Sequence, residues 1–261
     1  MFRGKTIFIT GGASGIGRRT ALRFAEQGAN VVIVTKSSEQ AAKDTVAQIE
    51  ALGGHGIYVL CDIAVEDQVE QAVAAAVEAF GAIDIAFNNA GVGPDGVTIP
   101  LNDLTQVSEH DWDWVSDTCL KGAFFCIKHE LRQMRKQTGD RVILSTASTA
   151  GLHPMANFGA YGPAKAGLVL LTKEAAVENK EFGIRCNVIC PGPTAGTGMS
   201  DRMFGSKKDE PQGPAQDAPQ GPPMTMNSTD DIANLVLFLC SPAGQRINGN
   251  VISVDGGLDI F

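Results

Sequence analysis

The sequence predicts a doubly wound α/β domain, a parallel sheet covered by helices on both faces. Three observations carry this. Short, continuously apolar runs alternate with stretches of helical periodicity, the pattern of strands buried on both faces by crossover helices. The first run leads through a glycine-rich turn into a helix, a unit that presents backbone amides and a helix N-terminus to an anion. With 261 residues and 44% apolar side chains, the chain can bury a large core, and no composition break divides residues 1–261 into more than one domain.

In chain order, residues 6–10 form the first strand, and Thr10-Gly-Gly-Ala-Ser-Gly-Ile-Gly17 opens a helix over 18–27, where Ala21, Leu22, Phe24 and Ala25 have helical spacing. Gly11, Gly15 and Gly17, with Ser14 and Ile16 among them, let backbone approach a pyrophosphate. The spacing Gly-x-x-x-Gly-x-Gly departs from Gly-x-Gly-x-x-Gly, so the turn takes its meaning from the strand before it and the helix after it. Strands follow at 31–34, 56–60 and 83–87, separated by helices at 39–52 and 66–80. Further strands fall at 141–144, 184–189 and 251–254. In such a sheet a ligand lies across the carboxyl ends of the strands, where Gly11, Asn89, Ser148 and Pro191 emerge.

Composition narrows the function. A formal charge of −8 without a Lys/Arg cluster argues against nucleic acid as a partner. No run reaches the ~18 apolar residues of a membrane span, and Met-Phe-Arg-Gly-Lys leads directly into a strand, so a cytoplasmic location and no membrane partner are expected. Six cysteines without a Cys-x-x-Cys pair or a histidine at ligand spacing are expected as reduced thiols, with no metal.

Chemistry enters with Tyr161-Gly-Pro-Ala-Lys165. Four residues apart, the phenol and the ammonium share a helix face, and the ammonium is expected to lower the tyrosine pKa towards a value useful in acid/base work. Pro163 is tolerated only in a first helical turn, so this helix begins near 159–162, and the positive helix end further favours phenolate. Ser148 in Ser145-Thr-Ala-Ser148 supplies a hydroxyl beside the pair.

Together with the glycine turn, Asn88-Asn-Ala-Gly91, Pro191-Gly192 and Asn248-Gly-Asn-Val-Ile-Ser-Val-Asp-Gly-Gly257, these residues make the chain closely resemble the short-chain dehydrogenase/reductase family from end to end. The resemblance implies a Rossmann-like fold and hydride transfer between a nicotinamide and a carbonyl or carbinol carbon. It implies Tyr161 as acid/base, Ser148 on the substrate oxygen, and Lys165 on the nicotinamide ribose. It places Asp62 and the Ile63 backbone at the adenine, and Asn89, Ala90 and Gly91 near the adenosine ribose. Pro191, Gly192 and Thr194 would cap the nicotinamide, with Thr197 a second candidate for that place. Thr35 stands where NAD-preferring members carry aspartate and Lys36 follows, so NADP(H) is favoured over NAD(H); alternatively Lys36 is a solvated strand-end side chain. Cys119 replaces the asparagine that in most relatives helps hold a water linking the lysine to solvent; it either weakens that relay or is a small apolar filler.

The resemblance implies a small or medium, cyclic or secondary, ketone or alcohol as substrate, with His153, Met155, Asn157 and Phe158 as candidates for its wall. Gly and Pro punctuate 193–227, which reads as a long mobile loop without regular structure. Met199, Met203 and Phe204 close it over an apolar substrate, or 207–220 is merely solvent-bathed. Arg202, Lys207 and Lys208 are candidates to meet an anionic substrate, but beside Asp209 and Glu210 they read rather as a solvated face. The family implies a homotetramer or homodimer through the helices around 111–135 and 161–179, with a contact near Leu258-Asp-Ile-Phe261. Two rivals stay open: a dinucleotide-binding partner or sensor with weakened catalysis, and non-redox biosynthetic chemistry on the same scaffold.

Overall fold

Seven strands, β1 (Thr6–Thr10), β2 (Asn30–Thr35), β3 (His55–Leu60), β4 (Ile85–Asn88), β5 (Arg141–Thr146), β6 (Ile184–Pro191) and β7 (Val251–Val254), pair in parallel in the order β3-β2-β1-β4-β5-β6-β7. The structure is a computed structural model and describes residues 1–204 and 226–258. Strand order reverses between β1 and β4, whose last residues Thr10 and Asn88 are register partners. That reversal opens the crevice in which a doubly wound sheet binds its ligand.

Alternation along β1 shows how the core divides. Ile7 and Ile9 face one layer with Phe24 of α1 (Gly15–Ala25), Ile49 of α2 (Glu39–Ala51) and Val236 of α8 (Thr229–Cys240). Phe8 faces the other with Val69 of α3 (Glu66–Phe80), Ile127 and Met134 of α5 (Ala123–Met134) and Leu168 of α6 (Tyr161–Asn179). A fully buried side chain of this size contributes ~1.5–3 kcal/mol, so both faces must be covered for the central strands to be this apolar. The outer strands β3 and β7 are only half-buried, as befits edges. Ser228 and Asp231 form a capping box at the start of α8, and Asp230 in its first turn pairs with Arg19 at 2.7 Å, fixing α8 on α1.

Several expectations are met in detail. Helix α3 and strands β1 and β7 have the predicted limits, and α6 begins at Tyr161 with Pro163 in its first turn. Two differ. Between α4 (Glu109–Ser116) and α5 the helix widens into a π-helical turn, Asp117–Gly122, which places Cys119 at full burial. The segment after Gly192 is not irregular throughout: Thr194 bridges to Asn227, and Gly198–Phe204 forms α7. The physical reason is local, because Met199 to Phe204 contains neither Gly nor Pro, and the breakers lie on either side. Lys207, Lys208, the rest of 205–225, and Ile260 and Phe261 with their expected subunit contact lie outside the described residues. Among the described residues no helix is long and apolar enough to cross a membrane. All six cysteines are free and buried.

Candidate active site

A cavity of roughly 400 Å³ opens at the carboxyl ends of the central strands. Its floor begins at Gly11, which turns with φ +67°; the nearest neighbour of a Cβ there would be the Ala90 Cα at 3.0 Å. Gly17 closes the same turn, since a Cβ would lie 2.3 Å from the Gly11 carbonyl oxygen. Thr10 ties this turn to the next strand end, its hydroxyl accepting from the amides of Asn89 at 3.0 Å and Ala90 at 3.1 Å. Ser14, Gly15, Ile16, Asn89, Ala90 and Gly91 thereby line one wall.

The chemistry sits opposite. Tyr161 and Lys165 occupy successive turns of α6 and are both buried. The Lys165 ammonium donates to the carbonyl of Thr146, the last residue of β5, at 2.7 Å and lies 5.6 Å from the Tyr161 ring centroid. Ser148 lies two residues past the end of β5 and caps a single 3₁₀ turn, its hydroxyl accepting from the Ala150 amide at 3.1 Å. Burial pushes the Tyr161 phenol above its ordinary value, while the Lys165 charge and the Ser148 hydroxyl pull it down without prevailing. The expected lowering is therefore not found: burial outweighs one ammonium, and the phenol is protonated at neutral pH.

Cys119 is not an idle filler. Its thiol donates to the Val92 carbonyl at 3.0 Å and accepts from the Val92 amide at 3.4 Å, strapping the π-helical turn to the segment after β4. It thus satisfies two backbone groups beside the Lys165 ammonium, with Gly91 between them: a Cβ there would lie 3.3 Å from Lys165 Nζ and 3.5 Å from Cys119 Sγ.

Pro191, Gly192, Thr194 and Thr197 reach the cavity, and so do Met155, Phe158, Met199 and Phe204. Thr194 donates to the Gly192 carbonyl at 3.0 Å, and Thr197 in turn donates to the Thr194 carbonyl at 3.0 Å. His153 is brought elsewhere: it is exposed and does not line the cavity, because the chain turns outward after Gly151. Asn157 is likewise exposed, in a left-handed conformation with φ 66°. Thr35, Lys36, Asp62 and Ile63 lie beyond the cavity at the ends of β2 and β3, and Lys36 pairs with Asp62 at 2.7 Å. Sequence spacing treats these two as separate contacts, but the parallel register of β2 and β3 brings them together.

Other lining residues escaped the sequence reading. Gly93 lies against Tyr161, where a Cβ would come within 2.6 Å of ring carbon Cδ2. Trp114 enters from α4, and Asp95 lines the cavity bonded to Arg202, which the sequence instead suggests as part of a solvated face. Gly-Pro-Asp-Gly at 93–96 reads as an ordinary turn, and nothing in its pattern announces a site.

Residues 11–259 match a family model described as enoyl-(acyl carrier protein) reductase. An uncharacterized oxidoreductase of Thermotoga maritima is 36% identical over 257 residues, covering 98% of either chain. Levodione reductase of Leifsonia aquatica is 35% identical over 258 residues, 98% of this chain and 94% of that one. A Burkholderia cenocepacia short chain dehydrogenase solved in complex with NADP superposes with a TM-score of 0.81 at 30% identity, over 98% of each chain. Matches that run the length of the sequence agree with a parallel sheet whose switch point holds the glycine turn and whose α6 carries Tyr161 and Lys165. This chain belongs to the short-chain dehydrogenase/reductase family of nicotinamide-dinucleotide-dependent oxidoreductases.

Proposed function

We propose that the protein is an NADP(H)-preferring reductase or dehydrogenase acting on a ketone or secondary alcohol, with Tyr161 moving the proton. The observation that carries this is the convergence of a protonated, buried Tyr161, the Ser148 hydroxyl and the anchored Lys165 ammonium on one cavity whose opposite wall is the glycine turn. The glycine cradle fits a dinucleotide: Gly11 and Gly17 leave no room for a Cβ, and the turn feeds the N-terminus of α1.

The turn from Gly11 to Gly17 would hold the pyrophosphate, and Asn89 to Gly91 the adenosine ribose. Pro191, Gly192 and Thr194 would border the nicotinamide. Bound there, the cofactor supplies or accepts the hydride. One of the three Lys165 N–H groups is engaged by Thr146, leaving donors for the ribose hydroxyls. In reduction Tyr161 gives its proton to the forming alkoxide, and in oxidation it takes one from the carbinol. Ser148 orients the substrate oxygen.

The NADP(H) preference rests on Thr35 and Lys36. No carboxylate stands at the end of β2 to receive a ribose diol. The Lys36 side chain is 65% exposed, and its pair with Asp62 is of the surface kind that contributes ~0–1 kcal/mol, so the ammonium can turn to a 2′-phosphate at little cost. Phe158, Met155, Met199 and Phe204 suit an apolar substrate body. Exposed Phe124 on α5 and Leu170 and Val177 on α6 support pairing of these helices in a homodimer or homotetramer.

Titration with NADPH and NADH, followed by turnover of the bound cofactor against cyclic and aromatic ketones, tests the reading. Tight NADPH binding with ketone-dependent oxidation is expected. Binding without turnover of any ketone or alcohol would replace it with a sensor or a non-redox enzyme.

A further inference from the structure

Three of the described residues lining the cavity are charged: Lys165, Asp95 and Arg202. Lys165 belongs to the proton-transfer group, and the other two form an ion pair that the mechanism does not use. Asp95 is 2% exposed, in the segment that follows β4. Its two carboxylate oxygens have separate partners. Oδ1 accepts from the backbone amides of Val97 at 2.9 Å, Thr98 at 2.6 Å and Ile99 at 3.3 Å, closing the turn 95–99. Oδ2 accepts from Nε of Arg202, on α7, at 2.5 Å. Burial works against ionisation of Asp95, yet the amides and the guanidinium hold it well below the usual carboxylate range, so the pair is charged throughout the neutral range.

The consequence is electrostatic. The one cation that the wall contributes away from Lys165 is already neutralised, and the surrounding side chains, Ile99, Trp114, Met155, Phe158, Met199 and Met203, are largely apolar. An anionic substrate that approaches the remaining Arg202 donors comes close to the Asp95 carboxylate, and one that takes Nε must displace that carboxylate. The first opposes like charges beside a half-exposed guanidinium, and the second leaves a buried carboxylate with its backbone amides alone. An uncharged substrate incurs neither cost. We propose that Asp95 and Arg202 are specificity-determining residues that reserve the site for uncharged substrates, and that Arg202 freed from Asp95 becomes a receptor for a substrate carboxylate. This rests on the oxidoreductase reading above for the chemistry, but not for the binding preference.

The separate roles of the two oxygens define the experiment. In Asp95→Asn the carbonyl oxygen keeps the three backbone bonds, and the amide nitrogen faces Arg202 Nε donor to donor, so the ion pair is lost and the guanidinium is released. Binding of 4-acetylbenzamide and 4-acetylbenzoate to the NADPH-loaded protein is measured by calorimetry for wild type, Asp95→Asn and the double variant Asp95→Asn/Arg202→Gln, with turnover of both ketones followed in parallel. The wild type is expected to favour the amide about 100-fold, Asp95→Asn to shift that ratio towards the acid by about 10-fold or more, and the double variant to lose the shift. The shift depends on the Arg202 charge, so a general loosening of the fold cannot produce it. An unchanged ratio in Asp95→Asn, or a wild type that prefers the acid, overturns the proposal. A shifted binding ratio with neither ketone reduced by any variant would leave it standing and remove the ketoreductase reading instead.

Discussion

Glu130 offers the sharpest test of the energetics. It lies on α5 with no solvent exposure, and its Oε2 accepts from the Asn88 side-chain amide at 2.8 Å. Its Oε1 and the Asn88 Oδ1 are buried acceptors with no hydrogen-bond partner. Burial pushes the carboxyl up to about 8 against the opposing Asn88 bond. The neighbouring Cys126 and Cys186 thiols are themselves pushed up by burial and carry no charge at neutral pH. In the unfolded chain a glutamate titrates near ~4.3. Between those values the folded state binds the extra proton, so stability is full below ~4.3 and falls as pH rises towards about 8. At ~1.4 kcal/mol per pH unit, the loss across that window is about 4–5 kcal/mol.

Glu130→Gln replaces the titrating proton with a permanent N–H and should remove the slope. Chemical denaturation of wild type and Glu130→Gln at pH 5, 6, 7, 8 and 9 isolates this group, because all other titrations cancel in the difference. The variant should gain on the wild type steadily from pH 5 to about 8 and not beyond it. A difference independent of pH would refute the reasoning, since it would mean that Glu130 has the same pKa folded and unfolded.

Other consequences follow from the site. Reduction needs the Tyr161 proton, which burial holds above the ordinary tyrosine range, so its rate should stay level through neutral pH, whereas oxidation needs phenolate and should climb with pH; opposite slopes in the two pH profiles would contradict this. Gly93→Ala puts a methyl 2.6 Å from the Tyr161 ring and should cut kcat at least ~10-fold with thermal unfolding little changed, as measured by steady-state kinetics beside a melting curve. Cys119→Ala removes both contacts to Val92 and should cost ~1–3 kcal/mol in denaturation, while Cys119→Asn, which carries a donor and an acceptor, should restore most of it. Lys36→Ala should weaken NADPH about 10-fold and NADH little in fluorescence titrations, because only the former carries a 2′-phosphate.

Elements with a strong local signal were legible before any coordinates. The apolar run of β1, the periodic stretch of α3 and the proline that fixes the start of α6 each carry their own physics, and the structure returns the same limits. The glycine turn and the Tyr161–Lys165 pair could be found because their geometry is set within a few residues. What escaped is set across the fold. Lys36 meets Asp62 because β2 and β3 run in register, and Asp95 meets Arg202 across 107 positions of chain. The direction of the tyrosine pKa is hidden for the same reason: spacing reveals the nearby ammonium, but only packing reveals the burial that outweighs it. α7 was hidden because the Gly and Pro around 199–204 dominate a window that its six interior residues do not fill.

The central claim is that a buried, protonated Tyr161 and a hydride from NADPH act on one carbonyl. Loss of reduced-nicotinamide absorbance with an uncharged aryl ketone, compared between wild type and Tyr161→Phe at equal NADPH occupancy, tests it most directly. The account predicts ketone-dependent oxidation by the wild type and a fall of ~10²-fold to 10⁴-fold in the variant, with NADPH binding retained. Equal rates in the two proteins would contradict it and move the proton donor away from Tyr161.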